Sequence, residues 1–234
     1  KQERIGGVMA DTKRLGRQTP TQSVILPYNK TYGEEAIKLY EKSKRKAQDW
    51  QKLLIYDLLS YDDEELWVHS KFGYAVPRRN GKNEVITIRE MYGLIKGEHI
   101  LHTAHRTPTS SSAFSRLYDI MAKAGYKEKE DFIVTRQYGL EKIEMIEGGG
   151  LASFRTRTSK GGLGEGYDLL IIDEAQEYQN DQETTLKYVV SSSPNPQTIF
   201  CGTPPTMVSS GTVFTHMREN TLAGKTSNTG WAEW

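Results

Sequence analysis

VPRRNGKN, residues 76–83, is the stretch on which the fold turns. It follows an apolar run and precedes one with helical spacing, which puts it where a strand ends and a helix begins. At such a junction consecutive backbone N–H groups and the helix N-terminus can wrap phosphate oxygens while a lysine neutralises their charge. Gly81 and Lys82 stand where that geometry needs them. The general pattern GxxxxGK[ST] asks for glycine where Val76 stands and a hydroxyl where Asn83 stands. Asn83 still offers Mg²⁺ a carbonyl oxygen, directly or through water. Alone, a Gly-Lys pair after a strand is more often an ordinary turn.

Working outward, Val85, Ile88, Met91, Tyr92 and Ile95 line one side of a helix starting near Lys82, with Gly97 as its stop. Upstream, residues 66–76 read as strand, or as a hairpin broken near Ser70. Residues 48–59 read as a helix that buries Trp50, Leu53, Leu54 and Leu58, and the chain turns helical from Glu34. Downstream come a short strand, 99–105, and a helix capped at Ser110, Ser111 or Ser112 that carries Phe114, Leu117, Tyr118 and Met121 and ends at Gly125. Residues 142–146 and 151–155 form a hairpin around Gly148, Gly149 and Gly150. A glycine-rich loop, SKGGLGEG (159–166), leads into YDLLIID (167–173). That strand is apolar enough to be buried on both faces, as parallel sheets covered by helices require. Another strand, 198–201, ends in GTPP. The alternation predicts an α/β fold, a three-layer sandwich around a central, mostly parallel sheet.

LLIIDEAQ (169–176) delivers Asp173 and Glu174 at the C-terminal end of a strand, the edge at which open α/β sheets bind ligands. If the two strands are neighbours, the carboxylates lie beside the Lys82 loop. Asp173 would then hold Mg²⁺, and Glu174 would polarise an attacking water. An Asp-Glu pair by itself is also a solvated turn; its order after the lysine loop favours the chemical reading. Gln51 has an amide that can read adenine, though helix-surface glutamines are common. Gly202 and Thr203 follow the next strand, where a hydroxyl could sense a γ-phosphate, or where the chain merely turns before Pro204 and Pro205.

Composition bounds the alternatives. At 234 residues the chain holds one compact domain, read here as residues 25–234 behind a polar arm, 1–24. A net charge of +1 neither demands nor excludes nucleic acid, so any DNA-binding surface is local. The single cysteine, Cys201, excludes an intrachain disulfide and a cysteine-based zinc site, and reads as a small buried hydrophobe. No stretch is apolar enough to span a bilayer, no signal peptide is visible, and no membrane partner is expected. His102 and His105 point to opposite faces of a strand, against a shared metal. KSKRKAQ (42–48) reads as a solvated helix face rather than a DNA patch. The apolar end GWAEW suggests that the natural protein continues.

Taken together, these pieces resemble the N-terminal ATPase domain of tailed-bacteriophage terminase large subunits, from about Tyr28 to the end. That family places an aromatic-Gln pair before the loop, as Trp50-Gln51 stands here, and an arginine four residues before the lysine, as Arg78 stands before Lys82. DEAQEY (173–178) and CGTPP (201–205) are similar to its acidic and coupling motifs.

The resemblance implies a P-loop fold of the additional-strand type that binds ATP and Mg²⁺. In it, Trp50, Gln51, Pro77, Arg78, Arg79, Asn80, Gly81, Lys82 and Asn83 hold nucleotide, Asp173 and Asn83 hold metal, Glu174 is catalytic and Thr203 couples hydrolysis to movement. A basic residue lent by a neighbouring subunit completes the site, with Arg155, Arg157 and Lys160 as candidates. The implied partners are double-stranded DNA, copies of the chain in a ring on the capsid portal, and the small terminase subunit, in the host-cell cytoplasm. The family's C-terminal nuclease domain is not expected in this sequence. A helicase or translocase of another family, and a nucleotide-binding scaffold that does not hydrolyse, remain the alternatives.

Overall fold

The computed structural model describes residues 16–157 and 166–234. In chain order the elements are β1 (Gln22–Val24), β2 (Lys30–Thr31), α1 (Gly33–Glu41), α2 (Asp49–Leu58), β3 (Ser60–Tyr61), β4 (Lys71–Ala75), α3 (Lys82–Ile95), β5 (His99–Ala104) and α4 (Thr107–Lys123). There follow β6 (Phe132–Thr135), β7 (Lys142–Met145), β8 (Leu151–Thr156), β9 (Leu169–Asp173), α5 (Asn180–Leu186), β10 (Gln197–Gly202), α6 (Val213–Leu222) and β11 (Thr229–Glu233).

One sheet has the order β1-β11-β4-β10-β9-β5-β8-β7-β6. The strands from β11 to β8 run parallel, whereas β1, β7 and β6 add antiparallel edges. Side chains alternate across a strand, and here the alternation sorts two cores. Phe72, Tyr74, Leu169, Ile171, Ile199 and Cys201 face the layer that includes α1 to α4. Leu170, Ile172, Phe200 and Trp231 face the other, with Leu186 and Phe214. The expected three-layer α/β sandwich is therefore present. It has the additional-strand arrangement, because β10 lies between β4 and β9. The loop-bearing and acidic strands are thus not neighbours, and Lys82 must reach across one strand.

Glycine stops fall where expected. Glu98 N donates to Gly93 O (2.9 Å) and Gly97 N to Leu94 O (3.3 Å), and the same paired bonds close α4 at Gly125 and Tyr126. Several boundaries differ. Residues 66–76 contain one strand, β4, and no hairpin at Ser70; Trp67 makes a single bridge to Tyr61. Residues 42–48 form a turn and loop, not a helix face, with Ser43 and Ala47 buried. In α2 the buried stripe is Trp50, Leu54 and Leu58 with Ile55, while Leu53 is 44% exposed. α4 starts before Ser110, at Thr107, because Pro108 in its first turn is preset for a helix start. The end of the arm is β1, and GWAEW lies in and just after β11. Among the described residues, no helix is long and apolar enough to cross a membrane.

Candidate functional site

Alternation along four strands brings the site together. Tyr74 on β4, His102 on β5, Asp173 on β9 and Cys201 on β10 all point to the face that α3 covers, and Lys82, the first residue of α3, meets them there. Lys82 Nζ lies 2.8 Å from Asp173 Oδ1 and 2.8 Å from Asn83 Oδ1, with Cys201 Sγ at 3.7 Å. Asn83 Nδ2 is 3.4 Å from Asp173 Oδ2, and the Tyr74 hydroxyl donates to Lys82 O at 2.8 Å.

Burial opposes charge on Lys82, but the Asp173 and Glu174 carboxylates outweigh it and hold the ammonium well above its usual range. Asp173 is only 1% exposed; burial would raise its carboxyl, yet Lys82 and His102 keep it far below the usual carboxylate range. Burial pushes the Cys201 thiol up to about 12, so it is a neutral neighbour.

The turn from β4 into α3 is built for close approach. Gly81 caps α3 at φ 83° without any side-chain cap bond, and its carbonyl accepts from Glu84 N at 3.1 Å. Arg79 is also left-handed, at φ 64°. Asn80 Nδ2 donates to the Pro77 and Arg78 carbonyls, bracing the loop from within. Gln51 supports it from α2: Nε2 donates to Gly81 O (3.1 Å) and Oε1 accepts from Gln48 N (2.8 Å). Both ends of the amide offered to a base by sequence are thus engaged within the protein.

Beside the loop lies a cavity of about 780 Å³, bounded by Trp50, Gln51, Val76, Arg79, Gly81 and Trp234 among others. Lys82, Asp173 and Glu174 do not line it, so the cavity adjoins the turn from β4 into α3 on the α2 side. Arg78 instead lines a smaller cavity, about 250 Å³, with Thr203, Gln176 and Val208. Thr203 N donates to Gln176 Oε1 (3.2 Å), tying the segment after β10 to the acidic one.

Glu174 leaves the strand in the left-handed region, φ 54° and ψ 46°. Its carboxylate accepts from His105 N (3.1 Å) and the Thr109 hydroxyl (3.3 Å), at the N-terminal end of α4. Of the basic candidates, Arg155 Nη1 donates to the carbonyls of Glu141 and Phe154, and Arg157 turns inward onto Asp173 O and Glu174 O. Both guanidinium groups thus bond backbone carbonyls within the chain. Lys160, with most of SKGGLGEG, lies outside the described residues.

Sequence reasoning missed His102 and Glu90. His102 Nδ1 is 2.6 Å from Glu90 Oε1 on α3, and Nε2 is 3.8 Å from Asp173 Oδ2. Burial disfavours the imidazolium, but the Glu90 and Asp173 carboxylates prevail and raise it to about 9. The even-numbered positions of β5 share a face, a signal that could have flagged His102 once the strand order was known. Among the described residues no cluster of three or more His, Cys, Asp or Glu is placed to hold a metal. A Mg²⁺ that keeps water and phosphate ligands needs only one or two protein oxygens, and Asp173 Oδ1 and Asn83 Oδ1 already share one cation, the Lys82 ammonium.

No protein-family model and no curated protein matches the chain. Solved structures do. The HK97 bacteriophage large terminase superimposes with a TM-score of 0.68 at 16% identity over 86% of this chain and 43% of its own. The Thermus phage P74-26 large terminase ATPase domain gives 0.56 at 16% identity, over 77% of this chain and 72% of its own. A large terminase from a thermophilic bacteriophage, in complex with ATP-gamma-S, gives 0.53 at 14% identity, over 71% of this chain and 39% of its own. The fold is that of these ATPase domains, and the chain spans less than half the length of the first and third of these proteins.

Proposed function

We propose that this chain is an ATP-hydrolysing motor domain of the terminase large-subunit kind, one member of a ring that drives double-stranded viral DNA into a procapsid. The observation that carries this reading is the Lys82–Asp173 pair, 2.8 Å apart at the C-terminal edge of the sheet, with a strand between the two that supply them. The shared fold, and a similar thermophilic-phage terminase solved with ATP-gamma-S and with ADP, support nucleotide as the ligand.

In this mechanism the N–H groups opening α3 wrap the β- and γ-phosphates, and the Lys82 ammonium shifts from Asp173 onto their oxygens. Asp173 and Asn83 would hold Mg²⁺, which neutralises charge on the phosphates. Glu174, fixed by His105 N–H and Thr109, directs its remaining lone pairs at a water for in-line attack. The cavity beside Trp50 and Gln51 takes the base, and Pro77, Arg78, Arg79, Asn80 and Gly81 enclose the phosphates. Thr203, bonded to Gln176, passes loss of the γ-phosphate to the segment beyond β10. A cation from a neighbouring copy, with Lys160 the candidate, completes the charge balance. The small subunit and the portal are the further partners, and the host cytoplasm is the setting.

The test is phosphate release from MgATP by this chain and by Lys82→Ala over a wide range of protein concentration. Turnover that depends on Lys82 and whose specific rate climbs with concentration is expected. A folded chain that binds ATP without turning it over at any concentration would favour the non-hydrolysing scaffold.

A further inference from the structure

Arg157 sits just beyond β8, its own N–H bonded to Ala104 O at 3.1 Å. Its guanidinium donates through Nη1 to Asp173 O (2.6 Å) and through Nη2 to Glu174 O (3.2 Å). Consecutive carbonyls of an extended strand point to opposite sides, so one planar fork cannot take both unless the chain turns between them. The turn is the left-handed conformation of Glu174, φ 54°, which a residue with a side chain adopts only when its surroundings hold it there. The guanidinium also lies over the Tyr178 ring, 5.4 Å from its centroid, at the far end of the same acidic segment. Two donors and one ring face therefore clamp residues 173–178 from a single side chain.

We infer that Arg157 is a positioning residue of its own chain, clamping the acidic turn so that Glu174 leaves β9 in the direction that sets its carboxylate against His105 and Thr109, and is not the charge lent to a neighbouring subunit. Its kinetic consequence rests on the proposed ATPase reading; the clamp itself does not. Removing the fork takes one donor from each of two carbonyls and leaves the left-handed residue held by the local contacts of its own segment, Glu177 N to Glu174 O (2.9 Å) and Glu174 N to Asp173 Oδ1 (2.8 Å), so the turn loosens. Glu174 then loses its aim while the phosphate loop, which Arg157 does not touch, keeps its shape.

Hydrogen exchange on the whole chain tests the clamp without nucleotide. Arg157→Ala is expected to speed exchange of the amides of 174–178, and of the 203–211 segment bonded to them, at least tenfold, with α3 unchanged. Exchange equal to that of the parent chain overturns the inference. Should Arg157→Ala fail to fold, Arg157→Lys decides, because it keeps the charge but not the two-pronged geometry; the same local rise is expected. In turnover, kcat falls at least tenfold while KM for ATP stays within twofold. Mixing Arg157→Ala with Lys82→Ala chains separates the two roles. An arginine acting between subunits would let the mixture recover activity, overturning the inference, whereas a clamp within one chain leaves both kinds of site inactive. A parent chain without turnover would count against the ATPase reading alone, and the exchange result would still judge the clamp.

Discussion

At the scale of single residues, the buried charges of Lys82, Asp173 and His102 each have a partner placed for them. Lys82 and Asp173 neutralise one another, and His102 is held by Glu90 on one side and Asp173 on the other. Lys82, Asp173 and Glu174 were legible in the sequence because each ends or begins a contiguous run whose apolar pattern fixes its place. His102 and Glu90 were not, because their meaning depends on which strand β5 lies beside. Asp57 is a contrary case away from the site. Burial raises its carboxyl from 3.8 to about 6, against the hydrogen bond it accepts from the Tyr28 hydroxyl at 2.8 Å. The folded protein thus holds that proton more tightly than the unfolded chain, and its contribution to stability is greatest below about 4 and declines as pH rises through 6. Asp57→Asn still accepts from Tyr28 and lacks the decline. The variant should be more stable than the parent by roughly 2 kcal/mol at pH 7, with the advantage vanishing near pH 4, as read from denaturant midpoints at both values.

Among the elements, α3 carries the loop lysine and must be anchored at a fixed height above the sheet. Its anchor is Arg89, with no exposed surface, whose Nη1 and Nη2 grip both oxygens of Glu98 (2.6 and 3.0 Å) and whose Nε donates to Gln197 Oε1 (2.9 Å). Gln197 Nε2 in turn donates to Leu58 O and His69 O, so one network joins α3, β10 and the end of α2. Arg89→Ala leaves Glu98 and Gln197 without their donor and should cost about 3–5 kcal/mol. A calorimetric transition unmoved by that change would show the network to be incidental. Helical stripes and glycine stops made α2, α3 and α4 readable locally, and the buried run 169–173 did the same for β9. β1 escaped because a strand of three residues carries too few alternations to register. The start of α4 slipped because Pro108 competes with the serines as a start signal.

For the whole molecule, β4, which leads into the Lys82 turn, is an inner strand because β11 pairs along its other side, parallel to it. Trp231, fully buried, packs on Phe214 with ring centroids 4.9 Å apart and lies so close over β4 that a Cβ on Gly73 would sit 2.5 Å from its ring. Such long-range pairing leaves no local trace, which is why GWAEW did not read as a strand. Trp231→Ala should lower stability by about 3–5 kcal/mol, and an unchanged melting temperature would contradict the placement of β11 beside β4. The central claim is that MgATP bound at the Lys82 loop is hydrolysed by a water that Glu174 directs. Its most direct test compares ATP affinity and phosphate release for this chain and for Glu174→Gln, under conditions where the parent turns over. Affinity within about twofold and turnover lowered at least a hundredfold is the result expected of a carboxylate that acts on water and not on nucleotide. Undiminished turnover in the variant would contradict the account.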